Sequence, residues 1–340
     1  MRHKILVFIE KFLYIIFSIV FVVVGVAIML SVNQVDQSPR VYGATFRYPY
    51  AQDLLGLDWK KVYVSMIEDI QIKNIRIPVY WDEIEKVQGT YDFSNVDYQV
   101  QTAEQYNAKV ILVVGRRVPG WPECHIPGWA QSLDNKDPLQ AHVMDEIKAV
   151  VERYKDSPAL IDWQVENEPF LTRFGQCGTY PVAQYLDQEI ALVKQLDSNH
   201  PVIVTDSGEL ALWLPAASRA DIFGNTLYKK VYADRFKGYI DYHLPPIFFR
   251  AKRGMVHFFY PNKKIINIEL QAEPWTTKGI TNTSFEEQAI TFPTHALRDN
   301  VQFAHDAGYS TVYVWGVEYW YWAAQHGHPE FLDEAKQYLH

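Results

Sequence analysis

The chain is poor in cysteine, and the residue patterns that mark several common classes of protein are missing from it. Two Cys in 340 residues are too few for a small fold held together by disulfides. The sequence contains no Lys/Arg-rich run, no glycine-rich phosphate loop, no G-x-S-x-G turn and no H-E-x-x-H helix. Aromatic residues, in contrast, make up 15% of the chain and include 10 Trp. This aromatic content excludes a disordered chain.

The charge of the chain is unevenly distributed. With residues 1–33 set aside, three of the 32 basic and one of the 40 acidic residues are removed, and the formal net charge goes from -8 to -10. Binding to nucleic acid needs a concentrated basic surface, because the phosphates must be neutralised. We therefore expect no nucleic acid among the partners of this protein.

One long uncharged run stands near the N-terminus, from Phe12 to Val32. Its 21 residues would form a helix about 30 Å long, the thickness of the hydrocarbon core of a bilayer. Three basic residues and one acidic residue precede it: Arg2, Lys4, Lys11 and Glu10. Basic flanks stay in the cytoplasm. The pattern predicts that residues 1–33 are a cytoplasmic tip and a transmembrane signal anchor, with the rest of the chain outside the cytoplasm.

A cleaved signal peptide is the alternative for this segment. The apolar region of a signal peptide normally runs for about 7–15 residues and ends in a small-x-small cleavage site. The run here is longer, and the residues after it, SVNQVDQSPR, offer no convincing site. If the segment is cleaved nevertheless, the protein would be secreted.

After a short polar stalk at residues 34–40, apolar segments alternate with amphipathic ones through residues 41–340. Eight strands are predicted, at Tyr42–Phe46, Asn74–Tyr80, Lys109–Gly115, Leu160–Glu166, Pro201–Thr205, Asp221–Thr226, Lys264–Leu270 and Ser310–Gly316. Helices are predicted between them, at Asp58–Ile70, Val96–Tyr106, Pro138–Tyr154, Pro181–Leu196 and Phe285–Ala307. This order favours an α/β fold, a single (β/α)₈ TIM barrel. An open doubly wound sheet is less favoured, because no strand is followed by a glycine-rich phosphate turn.

Polar and aromatic side chains gather after the predicted strands, where the active site of such a barrel lies. Glu168 follows the fourth strand, and Glu269 closes the apolar run of the seventh. Because these strands lie across the barrel from each other, the two side chains can face a common cleft. Retaining glycoside hydrolysis uses two carboxyl groups about 5–5.5 Å apart, one protonated and one ionised. Glu166 and Glu273 are competing candidates for these positions.

With these residues in view, the chain resembles the clan A glycoside hydrolases, which include family 5 cellulases and mannanases and family 42 galactosidases. The resemblance runs from Tyr42 to about Trp322. It rests on the following pieces: Asn167-Glu168-Pro169, the Glu269 position, Arg76 in IRIPVYW, the stretch Gly89–Asp97 and Trp315. The combination is typical of the clan and does not specify a sugar.

The resemblance implies a role for each matching residue. Glu168 would be the general acid/base and Glu269 the nucleophile, while Asn167 would bind the 2-hydroxyl of the sugar. Arg76 would keep Glu269 ionised, and Tyr228 would donate a hydrogen bond to it. Trp315 would form the apolar floor beneath a sugar ring. The remaining tryptophans divide between sugar platforms and packing, and we assign Trp81 and Trp275 to sugar binding.

The sequence departs from family 5 after the third strand, where a His is common and this chain has Gly115-Arg116-Arg117. Arg116 and Arg117 would either clamp an anionic sugar or form salt bridges with loop acids such as Glu123 or Asp162. Cys124 and Cys177 lie in the loops after the third and fourth strands, which are neighbours in a barrel. We predict a disulfide between them, in an oxidising compartment.

These observations predict a retaining β-glycoside hydrolase that acts on a carbohydrate outside the cytoplasm, with the membrane as a second partner of the chain. We expect no cofactor and no metal. Two other functions remain open from the sequence. One is a transglycosylase, in which a sugar hydroxyl instead of water intercepts the covalent intermediate. The other is a carbohydrate-binding barrel without catalytic activity.

Overall fold

The computed structural model describes residues 2–31, 34–134, 136–233 and 236–339, and in the first helix it describes the side chains of residues 11–26 and 29. Val32, the last residue of the predicted membrane span, lies outside the described residues. The side chains of Arg2, Lys4 and Glu10, three of the four flanking charges, also lie outside them.

Eight parallel strands close into a barrel in the order β1-β10-β9-β6-β5-β4-β3-β2. Two further strands, β7 and β8, form an antiparallel hairpin that the sequence did not predict. The strands are β1 Val41–Thr45, β2 Asn74–Pro78, β3 Lys109–Val114, β4 Leu160–Val165, β5 Val202–Asp206, β6 Ile222–Leu227, β7 Lys230–Ala233, β8 Gly238–Asp241, β9 Lys264–Gln271 and β10 Thr311–Trp315. All eight predicted strands are present. Direct pairing of β1 with β10 excludes the open sheet.

Helices flank the barrel, and they follow a long N-terminal helix whose described side chains are all exposed. The helices are α1 Arg2–Ser31, α2 Trp59–Glu68, α3 Trp81–Ile84, α4 Ser94–Gln105, α5 Asp137–Tyr154, α6 Val182–Leu196, α7 Leu214–Ala217, α8 Pro246–Phe259, α9 Phe285–Thr291, α10 Ala296–Asp306, α11 Val317–Gln325 and α12 Glu330–Tyr338. Two of these helices start with a side-chain cap. Asp58 accepts a hydrogen bond from the Lys61 N–H at the start of α2, and Ser284 accepts one from the Glu287 N–H at the start of α9.

The segment predicted as one helix at Phe285–Ala307 is two helices, α9 and α10. Phe292 ends α9 with an extended backbone, at φ -146° and ψ 76°. The next residue is Pro293, which disfavours the helical conformation in the residue before it. The two helices also have different neighbours, since α9 lies against β7 of the hairpin and α10 against β9 of the barrel.

The N-terminal region differs from its prediction in two respects. Among the residues that the structure describes, no helix is long and apolar enough to cross a membrane. The predicted transmembrane helix is therefore not supported. The polar stalk is also attached to the barrel. The Gln34 carbonyl accepts a hydrogen bond from Arg253 at 3.1 Å, and Asp36 accepts one from Ser310 at 2.6 Å.

The core has two parts. A large apolar cluster fills the space between the strands and the surrounding helices. A smaller one fills the barrel interior and consists of Ile111, Ile203, Ile222, Ile266, Ile268 and Tyr313. Above this interior cluster, toward the carboxyl ends of the strands, the inward-facing positions are polar, and Arg76, Gln164 and Thr205 are all fully buried there. The interior of the barrel is therefore apolar in its lower part and polar near the carboxyl ends of the strands, where the site lies.

Candidate active site

The chain leaves β4 at Val165 through a strained turn. Glu166 and Glu168 have positive φ angles of 59° and 41°, a region that residues other than glycine rarely occupy. Because the strand has already ended, the alternation that would send both side chains in the same direction no longer applies. The two glutamates therefore meet different surroundings.

Glu166 is used inside the protein. Its carboxylate accepts hydrogen bonds from the backbone N–H groups of Arg116 and Arg117, at 3.0 and 3.1 Å. Burial raises the pKa of Glu166 to about 7, against the lowering effect of the two arginines. Both carboxylate oxygens thus hold the loop after β3, and this leaves Glu168 as the acidic residue of this turn that faces the polar layer.

Glu168 is buried, with 6% of its surface exposed. The Thr226 hydroxyl donates a hydrogen bond to its Oε1 at 3.0 Å, and its backbone N–H donates to Thr205 Oγ1 at 2.8 Å. Burial raises the pKa of Glu168 well above its usual value, and the negative charges of Glu269 and Glu123 raise it further. Both effects favour the protonated form of Glu168.

Glu269 lies opposite, on β9, in a different electrostatic environment. Arg76 contacts its Oε1 at 2.6 Å, and the Tyr228 hydroxyl donates to its Oε2 at 3.1 Å. Arg76 is fully buried, so this ion pair is shielded from solvent. An adjacent cation and a donated hydrogen bond both stabilise the carboxylate anion. Both predicted partners of Glu269 are thus in contact with it.

A local irregularity in β9 presents Glu269. Along β6, Asn225 pairs with Asn267 and the next residue, Thr226, pairs with Glu269, so Ile268 is an extra residue in β9. Such a bulge changes the direction of the side chains that follow it. Ile268 belongs to the barrel interior, and strict alternation would turn Glu269 away from it. The bulge instead brings Glu269 to Arg76.

Asn167 connects the two halves of the site. Its side-chain oxygen accepts a hydrogen bond from Arg76 at 2.8 Å, and its amide nitrogen donates to Glu123 Oε2 at 3.1 Å. The sequence did not suggest Glu123 as a site residue. Because Glu123 lies nine residues beyond the end of β3, its position in the sequence indicates only a salt-bridge partner for the arginines. Burial raises its pKa to about 7, and Arg117 opposes that shift.

Arg116 and Arg117 are fully buried and bound internally. Arg116 donates to Gln140 at 2.6 Å and stacks on the Tyr180 ring at 4.2 Å. Arg117 forms an ion pair with Glu123, with 3.8 Å between Nε and Oε2. The ion pair between Arg117 and Glu123 matches the salt-bridge interpretation.

Trp315 ends β10 and contacts the guanidinium of Arg47. The Arg47 guanidinium stacks on its ring at 4.1 Å and on the Tyr50 ring at 3.9 Å. Arg47 also pairs with Glu273 at 2.8 Å and with Glu318 at 3.1 Å. Glu273 is therefore the partner of Arg47, and Glu269 is the acidic residue of this region that contacts Arg76.

The two other tryptophans assigned to sugar binding differ from each other. Trp81 starts α3 and is fully buried, and its indole N–H donates to Glu85 at 2.6 Å. It has no ring face to offer a ligand, which contradicts its assignment, and it packs edge-on against Trp129. Trp275 is half-buried beside the cleft and meets the Tyr228 ring at 5.4 Å between centroids.

A disulfide joins Cys124 and Cys177, the pair named from the sequence, with Cα atoms 5.1 Å apart. It connects the loop after β3 to the loop after β4. Glu123 and Asn167 belong to these same two loops, so the bridge lies beside the contact between them.

Together, the fold and the site define a class of protein. Two buried glutamates lie at the carboxyl ends of β4 and β9 in a closed (β/α)₈ barrel, and one of them, Glu269, is paired with Arg76. This is the arrangement of the clan A glycoside hydrolases, the class that the sequence resembles.

The chain belongs to glycosyl hydrolase family 5, the cellulase family, whose model matches residues 50–306. Among curated relatives, the probable mannan endo-1,4-beta-mannosidase A-1 of Aspergillus terreus is 32% identical over 130 residues, which cover 35% of this chain and 32% of that protein. The mannan endo-1,4-beta-mannosidase A of Hypocrea jecorina is 32% identical over 128 residues, covering 35% and 28%. The matches thus span about a third of the length of these relatives.

Solved structures show the same fold at low identity. A beta-galactosidase from Rahnella sp. R3 superposes with a TM-score of 0.60 and 12% identity, covering 89% of this chain and 56% of that one. A GH5_18 protein from Streptomyces cattleya, solved in complex with Manb1-4GlcNAc, superposes with a TM-score of 0.56 and 12% identity, covering 82% and 71%.

Proposed function

We propose that the protein is a retaining β-glycoside hydrolase in which Glu168 is the general acid/base and Glu269 the nucleophile. The observation that carries this proposal is the different surroundings of the two buried glutamates, since only Glu269 is paired with a cation, Arg76. Burial and the Glu269 charge keep Glu168 protonated, while the contact with Arg76 holds Glu269 as an anion. A double displacement needs one acid and one nucleophile in this relation.

In the first step, the Glu269 carboxylate attacks the anomeric carbon and the bond from that carbon to the glycosidic oxygen breaks. Glu168 gives its proton to the departing oxygen. In the second step, a water molecule loses a proton to the Glu168 carboxylate and attacks the same carbon, which releases Glu269. Loss of the negative charge on Glu269 in the intermediate lowers the pKa of Glu168, so this residue can accept the proton.

The residues around the glutamates would bind the reacting sugar. Asn167 uses one amide hydrogen on Glu123 and keeps a second for a hydroxyl group. Arg76 binds the oxygen of Asn167 and one oxygen of Glu269, so it orients both residues together. Trp315 offers an aromatic face to the apolar C–H groups of a sugar ring.

For the substrate, we propose a β-1,4-linked mannoside. The support comes from the relatives, since the curated proteins that match this chain are named as mannan endo-1,4-beta-mannosidases. Hydrolysis of mannan compared with cellulose and galactan tests this choice.

We predict distinct losses for the two glutamate variants. Glu269→Gln removes the nucleophile and should lower activity to background on every substrate. Glu168→Gln should lower kcat on natural glycosides by about 100- to 10,000-fold. The same variant should retain rapid first-step cleavage of dinitrophenyl glycosides, whose leaving group needs no proton.

For the wild-type enzyme, the sugar anomer that is released first should have the configuration of the substrate. NMR spectroscopy during the reaction measures it.

Glu273→Gln is the matched control for these variants, because Glu273 is an acidic residue of the same loop region that pairs with Arg47. It should cleave natural glycosides far faster than either catalytic variant, and dinitrophenyl glycosides far faster than Glu269→Gln. Full activity in Glu269→Gln, or release of the inverted anomer, would contradict the proposed mechanism.

We also propose that the barrel acts outside the cytoplasm, either held at a membrane or secreted. The disulfide between Cys124 and Cys177 supports this location, since such bonds persist in oxidising compartments. The uncharged run from Phe12 to Val32 supports an N-terminal targeting or anchoring role. Protease protection in intact cells, alkaline extraction of membranes and N-terminal sequencing of the full chain distinguish the two forms. Protection of the barrel inside intact cells would contradict both.

A further inference from the structure

Four aromatic rings form a continuous path from the nucleophile to the protein surface. The Tyr228 hydroxyl contacts Glu269, and its ring meets Trp275 at 5.4 Å between centroids. Trp275 meets Phe174 at 6.1 Å, and Phe174 meets Trp121 at 6.2 Å. We call Tyr228, Trp275, Phe174 and Trp121 the aromatic path. Each separation is within the range of favourable aromatic pairs.

The outer end of this path is unusual for the molecule. Trp121 has 66% of its surface exposed, whereas the other tryptophans in the described part of the chain are buried or half-buried. A single exposed aromatic ring is common on protein surfaces, and it is the contact with Phe174 that connects Trp121 to the site. Because Trp121 continues a path that begins at Glu269, the ligand that fits is the one that occupies the cleft.

The two outer rings belong to loops that are fastened to each other. Trp121 lies three residues before Cys124, and Phe174 lies three residues before Cys177, so the disulfide connects the two ring-bearing segments. The Gln176 N–H also donates a hydrogen bond to the Pro122 carbonyl at 3.0 Å. Loops held together in this way lose little conformational freedom when a ligand binds, which favours binding.

We propose that Trp121 and Phe174 form a remote sugar-binding position, which holds a neutral hexose unit of the same glycan whose bond is cleaved at Glu168 and Glu269. This inference rests on the proposed function and extends it, because it predicts that the enzyme prefers long chains. A sugar ring offers apolar C–H faces to an indole while its hydroxyl groups stay in water.

The test compares Trp121→Ala with wild type on β-1,4-mannooligosaccharides from the disaccharide to the hexasaccharide. Loss of one stacked sugar should lower the ratio of kcat/KM for the hexasaccharide to kcat/KM for the disaccharide about tenfold. The change should lie mainly in KM. Trp121→Phe should restore much of the ratio, since it keeps an aromatic face. A ratio that stays at the wild-type value would overturn the proposal.

Phe258→Ala is the matched control. Phe258 is exposed to a similar extent, at 69%, but it lies near the end of α8, just before β9 begins, and therefore at the opposite end of the barrel from the site. This variant should leave the ratio unchanged. An equal fall in both variants would show a general effect of removing exposed aromatics and would overturn the remote position.

Binding measurements separate this inference from the catalytic proposal. Calorimetric titration of Glu269→Gln with the hexasaccharide reports binding without turnover. Adding Trp121→Ala to it should weaken that binding about tenfold. If wild type hydrolyses none of the sugars but the titration shows this difference, the catalytic proposal fails and the remote position stands. If the two proteins bind the hexasaccharide equally, the remote position fails. It also fails if Trp121 contacts lipid vesicles or a second copy of the chain instead of sugar.

Discussion

At the scale of single residues, the site depends on a third acidic group, Glu123, beside the two catalytic candidates. Glu123 accepts a hydrogen bond from Asn167 and pairs with Arg117. Its pKa of about 7 means that it changes charge close to neutral pH. Its negative charge raises the pKa of Glu168. Glu123 therefore acts as a positioning residue for Asn167 and adjusts the acidity of Glu168.

Replacing Glu123 should separate these two effects. Glu123→Gln keeps a polar partner for Asn167 and removes the ionisation, so the pH profile of kcat/KM should lose an inflection near pH 7. Glu123→Ala should in addition lower kcat/KM about tenfold, since a buried hydrogen bond to Asn167 is lost. Profiles of the two variants against wild type measure both effects. An unchanged profile in Glu123→Gln would rule out the influence of Glu123 on Glu168.

At the scale of the elements, the end of β3 and the turn after β4 are built together. Gly115 has a φ of 109° and lies against Glu166, such that a Cβ at position 115 would stand 2.6 Å from Glu166 Oε1. Only glycine fits there without strain. The close approach allows Glu166 to bind the N–H groups of Arg116 and Arg117, and it thereby aligns the loop that carries Glu123, Cys124 and Trp121.

We expect Gly115→Ala to destabilise the protein by about 3 kcal/mol, from backbone strain together with displacement of Glu166. Gly89→Ala is the matched control, because Gly89 also has a positive φ, of 74°, but nothing lies within 4 Å of its added Cβ. That variant should cost about 1 kcal/mol. Urea unfolding of both proteins measures the difference. Equal losses would show that contact with Glu166 has no energetic role.

At the scale of the whole molecule, buried carboxyl groups make stability depend on pH. Burial raises the pKa values of Glu123, Glu166 and Asp206 to about 7. Between the ordinary carboxyl range, near 4, and pH 7, the folded protein therefore binds more protons than the unfolded chain. Stability from these groups is present at low pH and is lost as the pH rises through the folded values.

We therefore predict that the thermal midpoint falls by several degrees between pH 5 and pH 8. The double variant Glu123→Gln, Asp206→Asn should show a smaller fall, because two of the three groups no longer ionise. Differential scanning calorimetry at several pH values, at constant ionic strength, measures this dependence. A midpoint that rises from pH 5 to pH 8 would contradict the raised pKa values.

Much of this architecture is determined locally. Apolar segments of strand length, separated by amphipathic ones, place all eight barrel strands to within a residue or two, because each segment must bury its own side chains. The motif around Glu168 and the arginine in β2 can each be recognised from a few consecutive residues of the sequence. Pro293 was visible in the sequence, yet its effect was hidden by an amphipathic pattern that continues on both sides of it.

The sequence by itself predicted the closed barrel from the order of its strands and named the two cysteines from the neighbouring loops that carry them. Its resemblance to the clan A glycoside hydrolases implied the pairing of Arg76 and Tyr228 with Glu269. The tertiary structure decided which partner each acidic residue contacts. Glu123 reaches Asn167 across two loops, Glu166 turns to the backbone of its neighbours, Trp81 is buried, and a bulge in β9 directs Glu269 to Arg76. The physical reason is that local periodicity specifies which residues are buried, whereas the partner of a buried charge is specified only when distant segments come into contact.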